Sequence, residues 1–382
     1  MSLAKAFSRA AGALPTLTLM LAGGPAVAET RGYVVSMIHT ATYGDQDTCP
    51  KGGNGGPTDI KVRRLMEQGY TKDQATKIIG NMGVDENGKK VEITKKGRIN
   101  GREVDPGDFP TSVPDPKIEI AQGRYAYGFD LDGKAGPGSF EDPDTHTKGV
   151  DNALWKSLGC FTGYNIRRPV RPYSEDIAWD TAMDSMPGWL ISVTGADLSK
   201  DGEVTVTFDR ALDVTLRDGH GGVLSGATYT VDADPRSHSV LKGRIKDQVL
   251  TVDDGQMAIQ GESQFYAWLR FVKTHVRFKM LKDGSLTGIV GGYQPWRDYY
   301  YFLAIRGEDT GQVDLPGVYY AMKRLADGIP DPTTGENTAI SAAYYMEAVP
   351  AFHTTQDGKV MAKAFGPGPL VSGPAVLERA DK

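Results

Sequence analysis

The chain predicts a β-rich α+β fold: an antiparallel sandwich or barrel-like sheet, with a few short helices packed at its N- and C-terminal parts. Three observations carry this. Glycine is abundant, at 47 of 382 residues, which favours tight turns. From Gly188 to about Arg306, strand-like runs alternate with the turn pairs Asp201-Gly202, Asp218-Gly219, Asp254-Gly255 and Asp283-Gly284. Helical spacing, by contrast, is confined to short stretches on either side of that region.

Residues 1–28 read as a secretory signal. Lys5 and Arg9 give a positive start, Leu14 to Ala22 a short apolar core, and Ala26-Val27-Ala28 a small-x-small cleavage site. The mature chain would then begin at Glu29, in the periplasm or outside the cell. The core is too short for a transmembrane segment, and no other apolar run approaches the ~20 residues a spanning helix needs. Loss of Lys5 and Arg9 takes the formal charge from −5 to −7. An acidic chain is poorly suited to nucleic acid, whose phosphates are met by Lys and Arg.

Four divisions follow: the signal at 1–28, a loop-rich α+β part at 29–186, an antiparallel part with C-terminal helices at 187–363, and a flexible Gly/Pro/Ala-rich tail at 364–382. Residues 31–40 form a strand with apolar residues on both faces, hence a buried one. A Gly-rich loop around Cys49 lacks the spacing of a phosphate loop. Helices follow at 58–69 and from Thr71 to Gly80 or Gly83. Residues 91–94 read as a short strand, and 105–116 as a proline-rich connection. The clearest strand is Val272–Met280. Val272, Thr274, Val276, Phe278 and Met280 share one face; Lys273, His275, Arg277 and Lys279 make the other face basic. Residues 314–327 read as a helix, and Asn337 as the cap of another holding Ile340, Tyr344, Met346 and Glu347.

Cys49 and Cys160 are the two cysteines, and in an oxidising compartment they pair as a disulfide. Before Cys160 lies the most acidic stretch, Phe129–Asn152, with Asp130, Asp132, Glu141, Asp142, Asp144 and Asp151. These six are the candidate metal ligands. Calcium takes six to eight oxygens, and a tight turn at Gly133 can aim two carboxylates at one point. With Asp130 as the first position, Asp132 is third and Glu141 twelfth, so the segment resembles EF-hand and dockerin-type loops at those places. It departs from them at Lys134 and Ala135, where a ligand and a glycine belong, so another geometry is implied. A disulfide would also draw Asp45 and Asp47 toward the acids.

The second candidate site is aromatic. In GGYQPWRDYYYFLAIRG, read as an extended chain, Tyr293, Trp296, Arg297 and Tyr299 offer stacking surfaces for a flat ligand or sugar ring. His39, His146, His220, His238, His275 and His353 form no zinc-type pair, and no G-x-S-x-G elbow occurs, so the sequence leaves enzymatic activity open. The leading expectation is an exported non-catalytic binding protein with structural calcium. It would take a small-molecule, carbohydrate or protein ligand on a sheet face and the aromatic segment. The alternatives are a secreted enzyme on a carbohydrate or other polymer, and a structural cell-envelope protein. Nothing in the sequence sets the oligomeric state.

Overall fold

The computed structural model describes residues 28–93, 96–262 and 265–365. All but the last residue of the expected signal, and all but the first two residues of the tail, lie outside them. No helix among the described residues is long and apolar enough to cross a membrane.

One antiparallel sheet dominates. Its strands are β1 (Glu29–Thr40), β2 (Pro187–Gly195), β3 (Gly202–Val214), β4 (Ser239–Lys246), β5 (Val249–Val252), β6 (Gln256–Glu262), β7 (Phe265–Met280), β8 (Leu286–Pro295), β9 (Gly328–Pro330) and β10 (Asn337–Pro350). Neighbours run β1-β2-β3-β4-β5-β7-β8-β10, and β10 pairs back onto β1, closing a barrel. The strands β5 and β6 are broken at Asp253–Gly255, and both pair with the long β7. The expected barrel-like sheet is therefore present, with the Asp-Gly pairs at its breaks and turns. The first strand, from the N-terminal part, shares this sheet with strands of residues 187–363.

Closure comes from β1. Its first half pairs with β2, Glu29 opposite Gly195 through Val34 opposite Leu190. Its second half pairs with β10, Tyr33 opposite Pro350 through Thr40 opposite Tyr344. With partners on both edges and cover on both faces, the strand is buried almost throughout.

Three readings of local structure are corrected. Residues 337–350 are not a capped helix but strand β10. Between β1 and β8, their alanines and tyrosines are buried almost without interruption, and burial overrides helix propensity. The aromatic segment is not extended beyond Pro295: Trp296–Gly311 is helix α5. Trp296, Tyr299, Tyr300 and Leu303 fall at i, i+3, i+4 and i+7 and are all buried. Val91–Ile93 form no strand, and Thr94 lies outside the described residues.

The other helices are α1 (Pro57–Glu67), α2 (Lys72–Gly80), α3 (Ala153–Leu158), α4 (Tyr173–Ala182) and α6 (Leu315–Leu325). Helix α4 inserts its inner face beside β1: Trp179 Nε1 donates to Ser36 O at 2.9 Å. Glu175, one turn earlier, is fully buried. Its carboxylate accepts from the Thr40 backbone N–H, from Thr40 Oγ1 at 2.6 Å and from Tyr299 Oη at 2.6 Å. Burial pushes this carboxyl upward, and those donors and the Arg306 charge oppose the shift. One carboxylate thus ties together β1, α4 and α5.

His353 performs a similar task between β1 and β2. Its ring bonds Ser192 Oγ at 2.9 Å and Tyr33 O at 3.0 Å. Burial lowers its pKa to about 4. Because that lies below the unfolded value near 6.5, the ring's contribution is full above about pH 6.5 and is lost as pH falls toward 4. His39, likewise lowered to about 4 by burial, acts in the same window. Acidification from pH 7 to 4 should cost about 3 kcal/mol for each ring. In His353→Gln, denaturant melts across this range should show a shallower acid decline than in the parent chain.

Candidate metal centre

The acidic segment lies against the outer face of the barrel wall, and its seat is the basic face of β7. Phe129 stacks on His275 with ring centroids 5.2 Å apart. Lys273 Nζ donates to Leu131 O at 3.0 Å, and Leu131 packs with Tyr293 and Ala339. Arg277 Nη2 donates to Asp142 Oδ2 at 2.5 Å, and Asp142 is fully buried. The basic row and the acidic loop, two separate features in the sequence, are thus partners.

This docking divides the six acidic candidates into two groups. Glu141, Asp142 and Asp144 are not brought to a common point with the others. Besides Arg277, Asp142 takes the N–H groups of Asp144 and Thr145. Glu141 pairs with Arg124 at 2.9 Å and with His146 at 3.3 Å. Asp144 accepts from Tyr127 Oη at 3.4 Å. Asp130, Asp132 and Asp151 do converge: one carboxylate oxygen from each lies within 4.8 Å of the others.

The convergence has a local cause. Gly133 N donates to Asp130 Oδ1 at 2.7 Å, and Lys134 N to Asp132 Oδ1 at 2.8 Å. Across an antiparallel bridge between Phe129 and Asp151, Leu131 N donates to Asp151 Oδ2 at 2.9 Å. Each carboxylate is thereby oriented through one oxygen and keeps the other out of the backbone bonding. Gly133 takes φ +74°, which the tight turn requires. Gly149 takes φ +83°, and a Cβ there would stand 3.1 Å from Asp130 Oδ2 and 3.2 Å from Lys134 O. The absence of a side chain at Gly149 leaves room for both groups. Lys134, the departure from the EF-hand pattern, has its carbonyl oxygen beside Gly149, and the Asp130 carboxylate lies there too.

Asp151 shows the strain of this crowding. Its carboxyl is pushed up to about 6, chiefly by burial, with the charges of Asp132, Asp327 and Asp130 adding to it. Asp327, directly before β9, is a further member that the sequence did not suggest. It lines a cleft of about 330 Å³ together with Asp132 and Asp151. Its oxygens accept from Ser341 N and Ser341 Oγ, both at 2.7 Å. Lys134 Nζ stands 3.5 Å from Asp132 and partly offsets the negative charge. The donor set of hard, partly desolvated oxygens fits calcium better than a softer metal.

The disulfide Cys49–Cys160 is formed, with Cα atoms 5.6 Å apart. It joins the Gly-rich loop to the end of α3. It does not bring Asp45 or Asp47 into the acidic group: Asp45 caps Thr48 and faces Arg167 at 3.6 Å.

The expected aromatic surface is also corrected. Trp296 is 3% exposed, Tyr293 6% and Tyr299 0%. Trp296 packs edge-on against Tyr319 with centroids 5.2 Å apart, and Arg297 covers it at 4.7 Å. Tyr299 is committed to Glu175. Tyr293 sits under the acidic loop. Of the four, only Arg297 is exposed. Tyr301 apart, which is exposed, the aromatic cluster is core, because a helical period places most of its rings on the buried face.

Comparison with protein-family models, with curated proteins and with solved structures returns no match.

Two mutations test these assignments. Trp296→Ala should destabilise the fold by about 3–5 kcal/mol in equilibrium denaturation, as expected of a packed core ring. Asp142→Ala should cost a similar ~3–5 kcal/mol by stranding Arg277, with the same loss in calcium and in chelator.

Proposed function

We propose that this chain is an exported, non-catalytic binding protein of the periplasm or cell surface, braced by a structural calcium ion at Asp130, Asp132 and Asp151. The observation that carries the calcium reading is the meeting of those three carboxylates within 4.8 Å, each with an oxygen outside the backbone bonding. A divalent cation there offsets the mutual repulsion of the carboxylates, which adds to the burial that raises Asp151, and the Lys134 carbonyl would be a further oxygen ligand. Asp327 stands behind the site as a neighbouring charge.

Export is supported by the charged start, short apolar core and Ala26-Val27-Ala28 ending of residues 1–28, and by the disulfide, which suits an oxidising compartment. The binding reading is supported by the sheet wall, which carries an open cleft beside the braced loop. Among the histidines, His39 and His353 are buried, and His275 is stacked beneath the loop. The calcium ion would hold the loop against the wall rather than act on a substrate.

Calcium should raise the melting temperature and chelator lower it, since an ion bound by the folded state alone adds about 2.7 kcal/mol at a hundred times its dissociation constant. Asp132→Asn should abolish the response, and Asp357→Ala should leave it intact. Melting indifferent to both calcium and chelator would refute the brace. N-terminal sequencing of chain recovered from its source cell should begin at Glu29; an intact Met1 would refute export.

A further inference from the structure

The outer wall carries a second cleft, of about 550 Å³, bounded by the start of β4 and by β6, β7, β8 and the β9–β10 pair. It falls within the size range of small-molecule sites. In a chain with 48 acidic residues, its lining is distinctive: it holds Arg236, His238 and Arg270 and no Asp or Glu.

Each of the three is held from behind by a carboxylate outside the lining. Arg236 places Nε and Nη2 on Asp234, and Arg270 places Nε and Nη2 on Asp298. Both guanidinium groups keep Nη1 without a partner among the described residues. His238 puts Nδ1 2.5 Å from Oδ1 of Asp209, which is itself 4% exposed, leaving Nε2 free. Fixed in this way, the free donors pay little further ordering cost on meeting a ligand.

Strand register sets the shape. Arg270 of β7 lies opposite Ala258 of β6, and Val272 lies opposite both Gln256 and Tyr293. Ala258 N donates to Ser239 Oγ at 3.0 Å, which draws His238 toward the same row. The cationic groups therefore gather at the β4–β6 end. From there the lining becomes apolar through Val272, Tyr293, Pro295 and Ile329. Val240 and Ile329, at 57% and 46% exposed, leave apolar surface open at the rim. The carboxylates of the metal centre act on Tyr293, at the far end from the arginines.

We infer that this cleft binds a small amphiphilic anion, a long-chain carboxylate, with its head at Arg236 and Arg270 and its chain along the Val272–Ile329 row. The assignment rests on the binding reading above and names its site and ligand class. Charge complementarity selects the anionic head, and the apolar lining selects the chain.

Isothermal titration of the calcium-loaded chain with dodecanoate, dodecan-1-ol and dodecyltrimethylammonium tests it. Dodecanoate should bind once per chain, roughly tenfold or more tightly than either comparison compound. Arg236→Gln combined with Arg270→Gln should remove most of that advantage while leaving dodecan-1-ol binding unchanged. Ala258→Trp should fill the row and abolish binding without lowering the melting temperature. Absent dodecanoate binding, equal affinities for the three, or no effect of the arginine pair would overturn the inference. Preferred binding of the ammonium compound, blocked by Ala258→Trp, would overturn the anionic assignment and leave the binding reading standing. Hydrolysis of methyl dodecanoate that is lost in His238→Gln would support the site and overturn the non-catalytic reading.

Discussion

The pairing of β1 with β10 is the constraint on which the rest depends. A sheet of this size left open would expose two unpaired edges and a broad apolar face. Here the first described strand serves both edges at once, bonding β2 along one half and β10 along the other. Everything between β1 and β2, residues 41–186, is an insertion whose two ends are fixed by neighbouring strands. That is why a loop-rich segment with little regular structure of its own can hold defined geometry. Glu175 and His353 reinforce the same seam with polar contacts, where an unpartnered group would be costly.

The second constraint is electrostatic. Much of the basic face of β7 is engaged by the chain itself, while Lys279 stays exposed. Lys273, His275 and Arg277 receive the acidic segment, through a carbonyl, a ring and a carboxylate respectively. Once Asp142 is committed to Arg277, it is lost to any metal. The carboxylates left over are those the turn at Gly133 and the bridge to Asp151 can aim inward. The candidate metal centre is therefore the remainder of a docking interaction, and it inherits its rigidity from that docking. The same wall, further along, is where the second cleft opens, and the two share Tyr293 as a boundary.

Residue patterning by itself determined a good deal. Short strands separated by Asp-Gly turns specified an antiparallel β-rich fold, because period-two runs bounded by turn residues can bury one face in no other way. The alternation in β7 told its apolar face from its basic one from Thr274 onward, but Val272, read onto the apolar face, stands on the outer side because the strand bulges at Lys273, where φ is +49°; two cysteines sufficed to pair. Acid density marked the loop in which three carboxylates converge, and Asp130-x-Asp132-Gly133 carried its own turn chemistry. What sequence could not decide was anything set by neighbours distant along the chain. Residues 337–350 have a composition compatible with helix, and only flanking strands make them β10. The i, i+3, i+4, i+7 spacing from Trp296 to Leu303 was legible and marks a helix, but that its rings are core rather than surface follows from what they pack against. Which three of six acids converge depended on Arg277, 135 residues from Asp142 in sequence. Asp327, and the carboxylates behind His238 and Arg270, were invisible for the same reason. Local pattern sets which face a side chain takes, whereas the partner it meets there is set by closure of the barrel.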